Sequence, residues 1–565
     1  MKYSVLADVY ENLEKTPGKL DKTSIIAKLL KGTPNDLLPK VVLLLSGRVF
    51  PSWSEEELGV ANQLMIKAIE KAYGINEKEI MKLFKKTGDL GSTIEELSKK
   101  KRQSTLGKKE LTVEKVFENM QLIAGQEGKG SQERKLNLVT ELLSQAGPKD
   151  ACYIVRTILS QLRIGVAEGI VRDSISEAFE VSSESVENAW FLNPDYGEIA
   201  RIAKEKGEKV LNKVRIEIGR PIKVQLAEKA PSLEDALNSF DEPALEYKYD
   251  GARMLIHKKN DNIMIFTRRL ENITKAFPDV VEICKKSLKA KECILDGEGL
   301  AIDKKTGKPM PFQKLSQRIK RKYDIKEIAK EIPIELNLFD VIYLDGKAFF
   351  DTNLRERRKK LSKIVKEVPG KIQLAKQLVT KDIKKAEKFY KEALNAGQEG
   401  LIVKNLEAKY QPGRRVAGGW LKVKPTLESL DLVITGATWG TGKRAGWLGS
   451  YILACRDPNT GDFLDCGMLG SGLKEKKTEK EDITLEDLTN QLKPYIESEK
   501  GNEVRISPKV VVEVAYEEIQ RSPTYSSGYA LRFPRLLRVR TDKGPEEADD
   551  LDRVEKIFKI QKGKK

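Results

Sequence analysis

The spacing of apolar residues changes near Gly219, and this change separates regions of different fold. Over residues 1–218, apolar side chains recur three or four positions apart, as at Leu6, Val9 and Leu13. This period predicts amphipathic helices, because such positions share one helix face. The first region is therefore expected to be an all-α domain.

Two capping patterns in this region indicate helix starts. They are Ser92-Thr93-x-x-Glu96 and Thr112-x-x-Lys115, and both precede apolar runs. A hydroxyl at such a position can accept a hydrogen bond from a backbone N–H of the first turn. Helices are therefore expected to begin at these two places.

From residue 219 to 425, β-rich runs alternate with lysine-rich helical patterns. This alternation predicts an α+β domain built around sheets. The expected strands are 254–256, 263–266, 293–295, 334–344 and 400–404, and the expected helices are 276–288 and 354–365.

From residue 426 to 565, short strands separated by glycine turns predominate. Several such strands in so short a region predict a small closed barrel, followed by a polar tail that ends in a helix. The expected strands are 431–437, 449–455, 463–467, 510–517 and 536–540.

The charge of the chain points to an anionic partner. Its 565 residues carry a formal net charge of +17, which favours nucleic acid first and an anionic membrane second. Five cysteines without a Cys-x-x-Cys pair, and the lone histidine His257, argue against structural zinc. Scattered thiols and the lack of a long apolar run or signal peptide predict a soluble cytoplasmic protein. A charged fraction of 33% is typical of thermophiles.

One lysine stands where a nucleophile is expected. Lys248 lies between Glu246 and the turn Asp250-Gly251, with Arg253 beyond, and apolar strand-like runs flank the segment. Such a junction can desolvate an amine and hold it in one direction, as a nucleophile requires. Alone the pattern is weak, because lysine is abundant in this chain and Asp-Gly is a common hairpin turn.

Two carboxylates and two lysines strengthen this pattern. Glu298 stands between glycines and Glu399 precedes an apolar strand, positions that suit a hard cation such as Mg²⁺ beside a polyphosphate. Lys422 and Lys424 alternate along a predicted strand and so face one side, where an anion would separate their charges. Taken singly, each residue also fits an ordinary solvated strand.

Further side chains suit a nucleotide or a phosphate. Phe339 lies in a predicted strand and is either a core residue or an aromatic that stacks on a base. Arg268 and Arg415 flank predicted strands and suit phosphate or ribose oxygens. Near the C-terminus, Arg540 and Lys543 belong to a basic run that is either solvated surface or part of the same site.

In chain order the motifs form a series: Lys-x-Asp-Gly-x-Arg, Asp-Gly-Glu, Phe-Asp, Glu-Gly-x-x-Val-Lys, Trp-Leu-Lys-x-Lys and Arg-x-Asp-Lys. This series resembles the covalent nucleotidyltransferase superfamily of ATP-dependent DNA ligases, RNA ligases and mRNA capping enzymes. Residues 128–131, Lys135, residues 162–166 and residues 224–227 are similar to segments of replicative DNA ligases of archaea and eukaryotes. The lack of a long N-terminal extension resembles the archaeal enzymes.

The resemblance implies three domains. Residues 1–218 would form an all-α DNA-binding domain, and residues 219–425 an α+β nucleotidyltransferase (adenylation) domain. Residues 426–565 would form an all-β OB-fold barrel with a C-terminal tail.

The resemblance also implies a role for each candidate residue. Lys248 would be the adenylated catalytic residue. The nucleotide-binding residues would be Glu246, Arg253, Arg268, Glu298, Phe339, Arg415, Lys422 and Lys424. Glu298 and Glu399 would bind metal, Arg540, Asp542 and Lys543 would serve the adenylation step, and Lys129, Ser131, Lys135 and Arg163 would contact DNA. Arg414 is an alternative to Arg415, because the spacing to Lys422 is one residue longer than in the family.

The implied activity is ATP-dependent sealing of nicks in duplex DNA, in replication, repair and recombination. ATP would adenylate the lysine, AMP would pass to the 5′-phosphate of the nick, and the 3′-hydroxyl would then attack. Mg²⁺ is the expected metal, with Mn²⁺ as a substitute. The expected partner is nicked double-stranded DNA, and the protein is expected to be a monomer.

The sequence alone leaves other functions to be considered. An RNA ligase or capping enzyme would not need the helical first region, and an NAD-dependent ligase would carry a cysteine cluster. A non-enzymatic DNA-binding protein would not retain every motif lysine and acid. Residues 103–106 partly resemble the start of a box that binds a sliding clamp, although the aromatic pair that should follow is missing.

Overall fold

A computed structural model describes residues 1–99, 110–310, 312–319, 324–415, 418–425, 427–440, 444, 446–474, 477 and 483–561. The chain forms two compact units, and each is discontinuous in sequence. The first unit contains residues 1–228, 251–375 and 406–420, and the second contains residues 229–250, 376–405 and 421–565. The segment 103–106 with the partial clamp-binding pattern lies outside the described residues.

The N-terminal region is helical, as its apolar spacing predicts. On the first helix Tyr3, Leu6, Tyr10 and Leu13 are fully buried, and they join a core shared by the other helices. The all-α prediction is therefore confirmed. The helices are α1 (Tyr3–Lys15), α2 (Lys19–Gly32), α3 (Leu38–Leu45), α4 (Asn62–Tyr73), α5 (Glu77–Thr87), α6 (Leu90–Lys99), α7 (Val113–Ala124), α8 (Ser131–Gln145), α9 (Pro148–Ile158), α10 (Glu168–Phe179), α11 (Ser183–Leu192), α12 (Tyr196–Lys206) and α13 (Glu208–Leu211).

One of the two predicted helix starts is correct. Thr112 caps α7, because its hydroxyl accepts a hydrogen bond of 3.2 Å from a first-turn backbone N–H. The prediction at Ser92 and Thr93 is wrong, since α6 begins before them. Asp89 takes the capping role there, because its carboxylate accepts hydrogen bonds from two backbone N–H groups of the first turn.

The central region alternates strands and helices, which confirms the predicted α+β class. Its elements are β1 (Glu228–Lys229), α14 (Leu233–Asn238), β2 (Pro243–Tyr247), β3 (Ala252–Lys259), β4 (Asn262–Thr267), α15 (Pro278–Ser287), β5 (Glu292–Ala301), α16 (Phe312–Ile319), α17 (Ile325–Glu331), β6 (Ile334–Leu344), β7 (Lys347–Ala348), α18 (Leu354–Ile364), β8 (Ile372–Leu374), β9 (Gln377–Val379), α19 (Ile383–Asn395), β10 (Leu401–Asn405) and β11 (Trp420–Val423).

These strands form two sheets. The first unit contains the order β4-β3-β5-β6-β7, with β8 parallel to β6. The other sheet has the order β1-β11-β10-β2-β9 and lies mainly in the second unit. There β2 pairs antiparallel with β10, so the residue after β2 lies beside the residue before β10.

The C-terminal region is rich in strands, as predicted. Its elements are β12 (Leu430–Trp439), β13 (Leu448–Arg456), β14 (Phe463–Leu469), α20 (Leu485–Leu492), β15 (Ile496–Lys500), β16 (Glu503–Ile506), β17 (Val511–Ala515), β18 (Glu518–Arg521), β19 (Tyr529–Arg532), β20 (Arg535–Val539) and α21 (Leu551–Gln561).

The closed barrel expected for this region is wrong, because the strands form an open sheet. Its order is β14-β13-β12-β16-β15, and β17 also pairs with β12 and with β20. One edge of β12 is divided, since Gly436 to Thr438 pair with β16 and Leu430 to Val433 pair with β17. Closure requires a continuous ladder around the sheet. Within the described residues, an isolated bridge between Ser471 and Arg535 stands where that ladder would close.

A buried ion pair ties α6 to α9. Arg156 donates a hydrogen bond of 2.8 Å to the capping carboxylate of Asp89, and both side chains are only 7% exposed. We expect Asp89→Ala to destabilise the fold by about 3 kcal/mol, because it removes a cap and leaves a buried guanidinium with fewer partners. The shift in the thermal midpoint, followed by circular dichroism, measures this loss.

The exposed pair between Glu95 and Lys99 on the same helix provides the control. Glu95→Ala should cost about 0.5 kcal/mol or less, because an exposed i,i+4 pair contributes little. Equal midpoint shifts in the two variants would contradict the importance assigned to the buried pair.

Candidate active site

Backbone pairing fixes Lys248 beside Glu399. The Lys248 N–H donates to the Gly400 carbonyl at 2.9 Å, and the Glu399 N–H donates to the Lys248 carbonyl at 2.9 Å. Gly400 has φ +139°, and a side chain there would collide with the Val423 carbonyl oxygen. Glycine is therefore required for the close approach that brings these residues together.

The side chains of this cluster form a chain of ion pairs. The Lys248 amine pairs with the Glu399 carboxylate, and the Lys424 amine lies 2.7 Å from the same Glu399 oxygen. Lys424 also lies 3.2 Å from Glu517. Lys248 is 21% exposed, so its amine is partly desolvated yet reachable. The predicted conjunction of Lys248, Glu399 and Lys424 is present in the second unit.

The two lysines keep Glu399 ionised. Burial alone would raise the pKa of this carboxyl, but the charges of Lys248 and Lys424 outweigh it and lower the pKa to about 2. Burial likewise opposes the charge on Lys424, and Glu399 overcomes it and raises the lysine's pKa. The two ammonium groups held at Glu399 are hydrogen-bond donors of the kind that suits a phosphate ligand.

Glu246 is held on both sides within the same sheet. It is 2% exposed, and its carboxylate lies 2.5 Å from the Lys404 amine. Gln377 donates a hydrogen bond of 2.8 Å to its other oxygen. Lys404 and Gln377 were missed from the sequence, although Lys404 ends the Glu-Gly-x-x-Val-Lys motif.

The alternation predicted for Lys422 and Lys424 holds. Leu421 and Val423 are buried in the core, whereas the two lysines are half-buried. Lys422 lies on β11 and Lys424 directly follows it.

In the first unit, Arg253 is the centre of a buried network. Its guanidinium donates to both carboxylate oxygens of Asp296, at 2.9 and 2.5 Å, and to the Gln225 carbonyl at 2.7 Å. The same guanidinium lies 5.5 Å from the ring centroid of Phe339 and 5.4 Å from that of Trp420. Phe339 is therefore 9% exposed and packed edge-on to Trp420, rather than open on both faces.

Asp296 is the residue that sequence reasoning missed here. It is fully buried, and it also accepts a hydrogen bond of 2.9 Å from Tyr410. It stands in Asp-Gly-Glu beside the acid that was singled out, Glu298. Asp296 is two residues away from the position opposite Arg253, so this pair can be found only once the two strands are placed side by side.

Glu298 and Arg268 lie near Arg253. Glu298 is half-buried and pairs in register with Arg253 across β3 and β5. The pKa of Arg268 is lowered mainly by burial of its guanidinium. The positive charges of Arg253 and Arg415 lower it further. Mutually repelling guanidinium groups indicate a place where an anion would be bound.

Arg414 and Arg415 differ in their surroundings. Arg414 donates a hydrogen bond of 3.1 Å to Asn188 and lies 3.5 Å from Glu187, so helix α11 holds it. Arg415 is exposed, and its charge acts on Arg268. These surroundings favour Arg415 as the nucleotide contact.

The C-terminal motif is held by an acid that the sequence did not reveal. Arg540 donates to both oxygens of Asp431, at 2.9 and 2.7 Å, and Lys543 donates to Asp431 at 2.8 Å. Arg540 also donates to Asp542 at 2.9 and 2.7 Å. The hydrogen bond to Asp431 raises the pKa of Lys543, so the amine stays charged.

The candidate DNA contacts of the N-terminal region lie at two loops. Lys129 is exposed and Ser131 opens α8, a helix N-terminus suited to phosphate. Lys135 differs, because its amine donates to the Leu58 carbonyl at 2.8 Å. Arg163 is exposed in a separate loop, with φ +58°.

Within the described residues, no helix is both long enough and apolar enough to span a bilayer. The same part of the chain contains no group of three or more His, Cys, Asp or Glu side chains arranged to hold a metal.

Models of known protein families match most of the chain. Three family models match: "DNA ligase N terminus" over residues 2–176, "ATP dependent DNA ligase domain" over 224–424 and "ATP dependent DNA ligase C terminal region" over 444–543. The chain is 49% identical to a DNA ligase of Nanoarchaeum equitans, across 100% of this chain and 99% of that one.

It is 48% identical to a DNA ligase of Thermococcus onnurineus, across 99% and 98% of the two chains. A solved structure named Pmar-Lig_PreS3 is 17% identical, with a TM-score of 0.56 over 94% of this chain and 99% of that one. That structure supports the fold alone.

Asp250 makes stability depend on pH. Burial first, and then the charge of Glu399, raise the pKa of Asp250 from 3.8 to about 6. The folded state therefore disfavours its ionised form, so the destabilisation grows from about pH 4 and is complete above about pH 6. Asp250→Asn should raise the thermal midpoint at pH 8 more than at pH 4.

Asp241→Asn is the matched control, because Asp241 is fully exposed. It should change the midpoint little at either pH. A midpoint change in Asp250→Asn that is the same at pH 4 and pH 8 would exclude a raised pKa.

Proposed function

We propose that Lys248 is the residue that carries AMP, because this chain belongs to the family of ATP-dependent DNA ligases. The protein is an enzyme that uses ATP to seal nicks in duplex DNA. The family reaction runs through a covalent lysyl-AMP and then a DNA-adenylate. The observation that supports Lys248 is its partly desolvated amine, held against Glu399 and next to Lys424.

In the first step, the Lys248 nitrogen attacks the α-phosphorus of ATP. A phosphorus–nitrogen bond forms and the bond to pyrophosphate breaks. Attack requires the neutral amine, since the ammonium has no lone pair. With its pKa near 2, Glu399 is too weak a base to keep that proton at neutral pH. Its role is therefore to orient the amine rather than to deprotonate it.

The nucleotide contacts follow from the charges around this lysine. Lys422 and Lys424 bind the phosphates, and the Lys424 amine, held at Glu399 beside Lys248, supports this role. Glu246 and Phe339 contact the adenine. Arg253, Arg268, Glu298 and Arg415 contact the ribose and the phosphates, as their adjacent positions in the first unit favour.

The residues present fit a divalent cation. Mg²⁺ takes one or two carboxylates and completes its shell with phosphate oxygens and water, so it does not need a cluster of three acids. The ionised Glu399 and the half-buried Glu298 are suitable donors. A bound cation would neutralise charge on the phosphates. We propose Mg²⁺, with Mn²⁺ as a substitute.

The C-terminal motif serves the adenylation step. Arg540 and Lys543 would hold the leaving pyrophosphate, with Asp542 fixing the direction of Arg540. Both cations bind Asp431, so a phosphate must compete with that carboxylate.

The DNA substrate is bound mainly through its backbone. A nick has no fixed sequence, and the net charge of +17 supports phosphate contacts and a strong dependence on salt. Lys129, Ser131 and Arg163 are exposed or at a helix start, and Lys135 lies on the helix that Ser131 opens. We propose that a cytoplasmic monomer binds the nick with three domains that divide near residues 218 and 425.

Lys248→Ala should abolish the covalent AMP adduct, because no other residue replaces the attacking nitrogen. Incubation with α-labelled ATP and Mg²⁺, followed by a denaturing gel, measures the adduct. Nicked-DNA affinity should stay within about twofold, since backbone contacts made elsewhere dominate binding. Lys376→Ala is the control and should keep its adduct. A labelled Lys248→Ala protein would refute the assignment.

Lys543→Ala should slow self-adenylation by about tenfold to a hundredfold, because it removes a cation from the leaving pyrophosphate. Sealing of pre-adenylated nicks should change much less, since that step releases no pyrophosphate. Single-turnover assays of the two steps measure the difference. Lys559→Ala, which removes an exposed lysine of α21, is the control. Equal losses in both steps would contradict the role.

A further inference from the structure

A buried charged group spans three neighbouring strands of the second unit. Glu246 on β2 lies between Lys404 on β10 and Gln377 on β9. The Glu246 and Lys404 side chains are 3% and 2% exposed, and their charged atoms are 2.5 Å apart. An isolated buried charge is costly, whereas a paired and hydrogen-bonded one persists.

The strand register places all three side chains on one face. Glu246 is directly opposite Gln377 on one side and Ile402 on the other, and Lys404 follows Ile402 by two residues. The intervening residues, such as Leu245 and Val403, point the other way into the core. The three polar side chains therefore lie together on the face opposite that core.

The chemistry of Glu246 determines which end of the Gln377 amide faces it. An ionised carboxylate accepts hydrogen bonds and cannot donate them, so Gln377 must present its NH₂ to Glu246. Lys404 places a positive charge 2.5 Å from that carboxylate. A carboxylate offers about four lone-pair positions, so Glu246 can accept hydrogen bonds from several groups at once, including the exocyclic amine of a base.

We propose that Lys404 and Gln377 are positioning residues that give the enzyme its preference for ATP over GTP. They hold the Glu246 carboxylate fixed in direction, as an acceptor for the exocyclic amine of adenine. Guanine carries an oxo group at that position, which would face the carboxylate without a hydrogen and is rejected. The proposal rests on the proposed contact between Glu246 and the base.

The test measures kcat/KM of self-adenylation with labelled ATP and with labelled GTP. Lys404→Met should lower the ATP-to-GTP ratio by about tenfold or more, because the carboxylate loses its charged partner. Lys404→Arg should retain most of the preference. Lys376→Met is the control, since Lys376 precedes the same strand but contacts Tyr247 and Glu392 instead.

Gln377→Leu provides a second variant that leaves no buried charge unpaired. It should lower the ATP-to-GTP ratio in the same direction, while sealing of pre-adenylated nicks, which needs no free nucleotide, stays near the wild-type rate. That second rate shows that a variant is folded. An unchanged ratio in Gln377→Leu and in folded Lys404→Met would overturn the proposal.

Glu246→Gln separates this inference from the proposed function. If it changes the ratio but the Lys404 and Gln377 variants do not, Glu246 reads the base without their help, and the inference fails alone. If Glu246→Gln itself leaves the ratio unchanged, the proposed contact with adenine is wrong, and the inference fails with it.

Discussion

The site depends on one shared carboxylate. Glu399 binds the amines of Lys248 and Lys424, which reach it from different segments of the chain. Without it, two partly buried ammonium groups would repel each other and turn towards solvent. With it, both ammonium groups stay in place beside each other. Gly400 permits this approach, since any side chain there would collide with the Val423 carbonyl oxygen of the neighbouring strand.

The same arrangement recurs at each group of functional cations. Asp296 holds Arg253, and Asp431 holds Arg540 and Lys543. Each acid fixes the direction of a cation before any phosphate arrives, which reduces the ordering needed on binding. Each acid also competes with the phosphate, so binding exchanges one anion for another.

Much of the fold could be predicted, because period and turn chemistry act locally. The helical region, the α+β region and strand 334–344 follow from them, and Thr112 caps its helix as its pattern indicates. The open form of the C-terminal sheet could not be predicted reliably, since closure into a barrel depends on which strand edges meet. The register that divides one edge of β12 is a property of pairing, not of composition.

By itself, the sequence determined the type of each region, the family motifs and the basic charge that favours DNA. The tertiary structure decided which charges meet. Asp431 and Gln377 carry no local signal, and the motifs that contain Asp296 and Lys404 do not show what these two residues contact. Each acquires its role from a partner on another strand or segment. A charge is a property of a residue, but an ion pair is a property of two positions that only folding brings together.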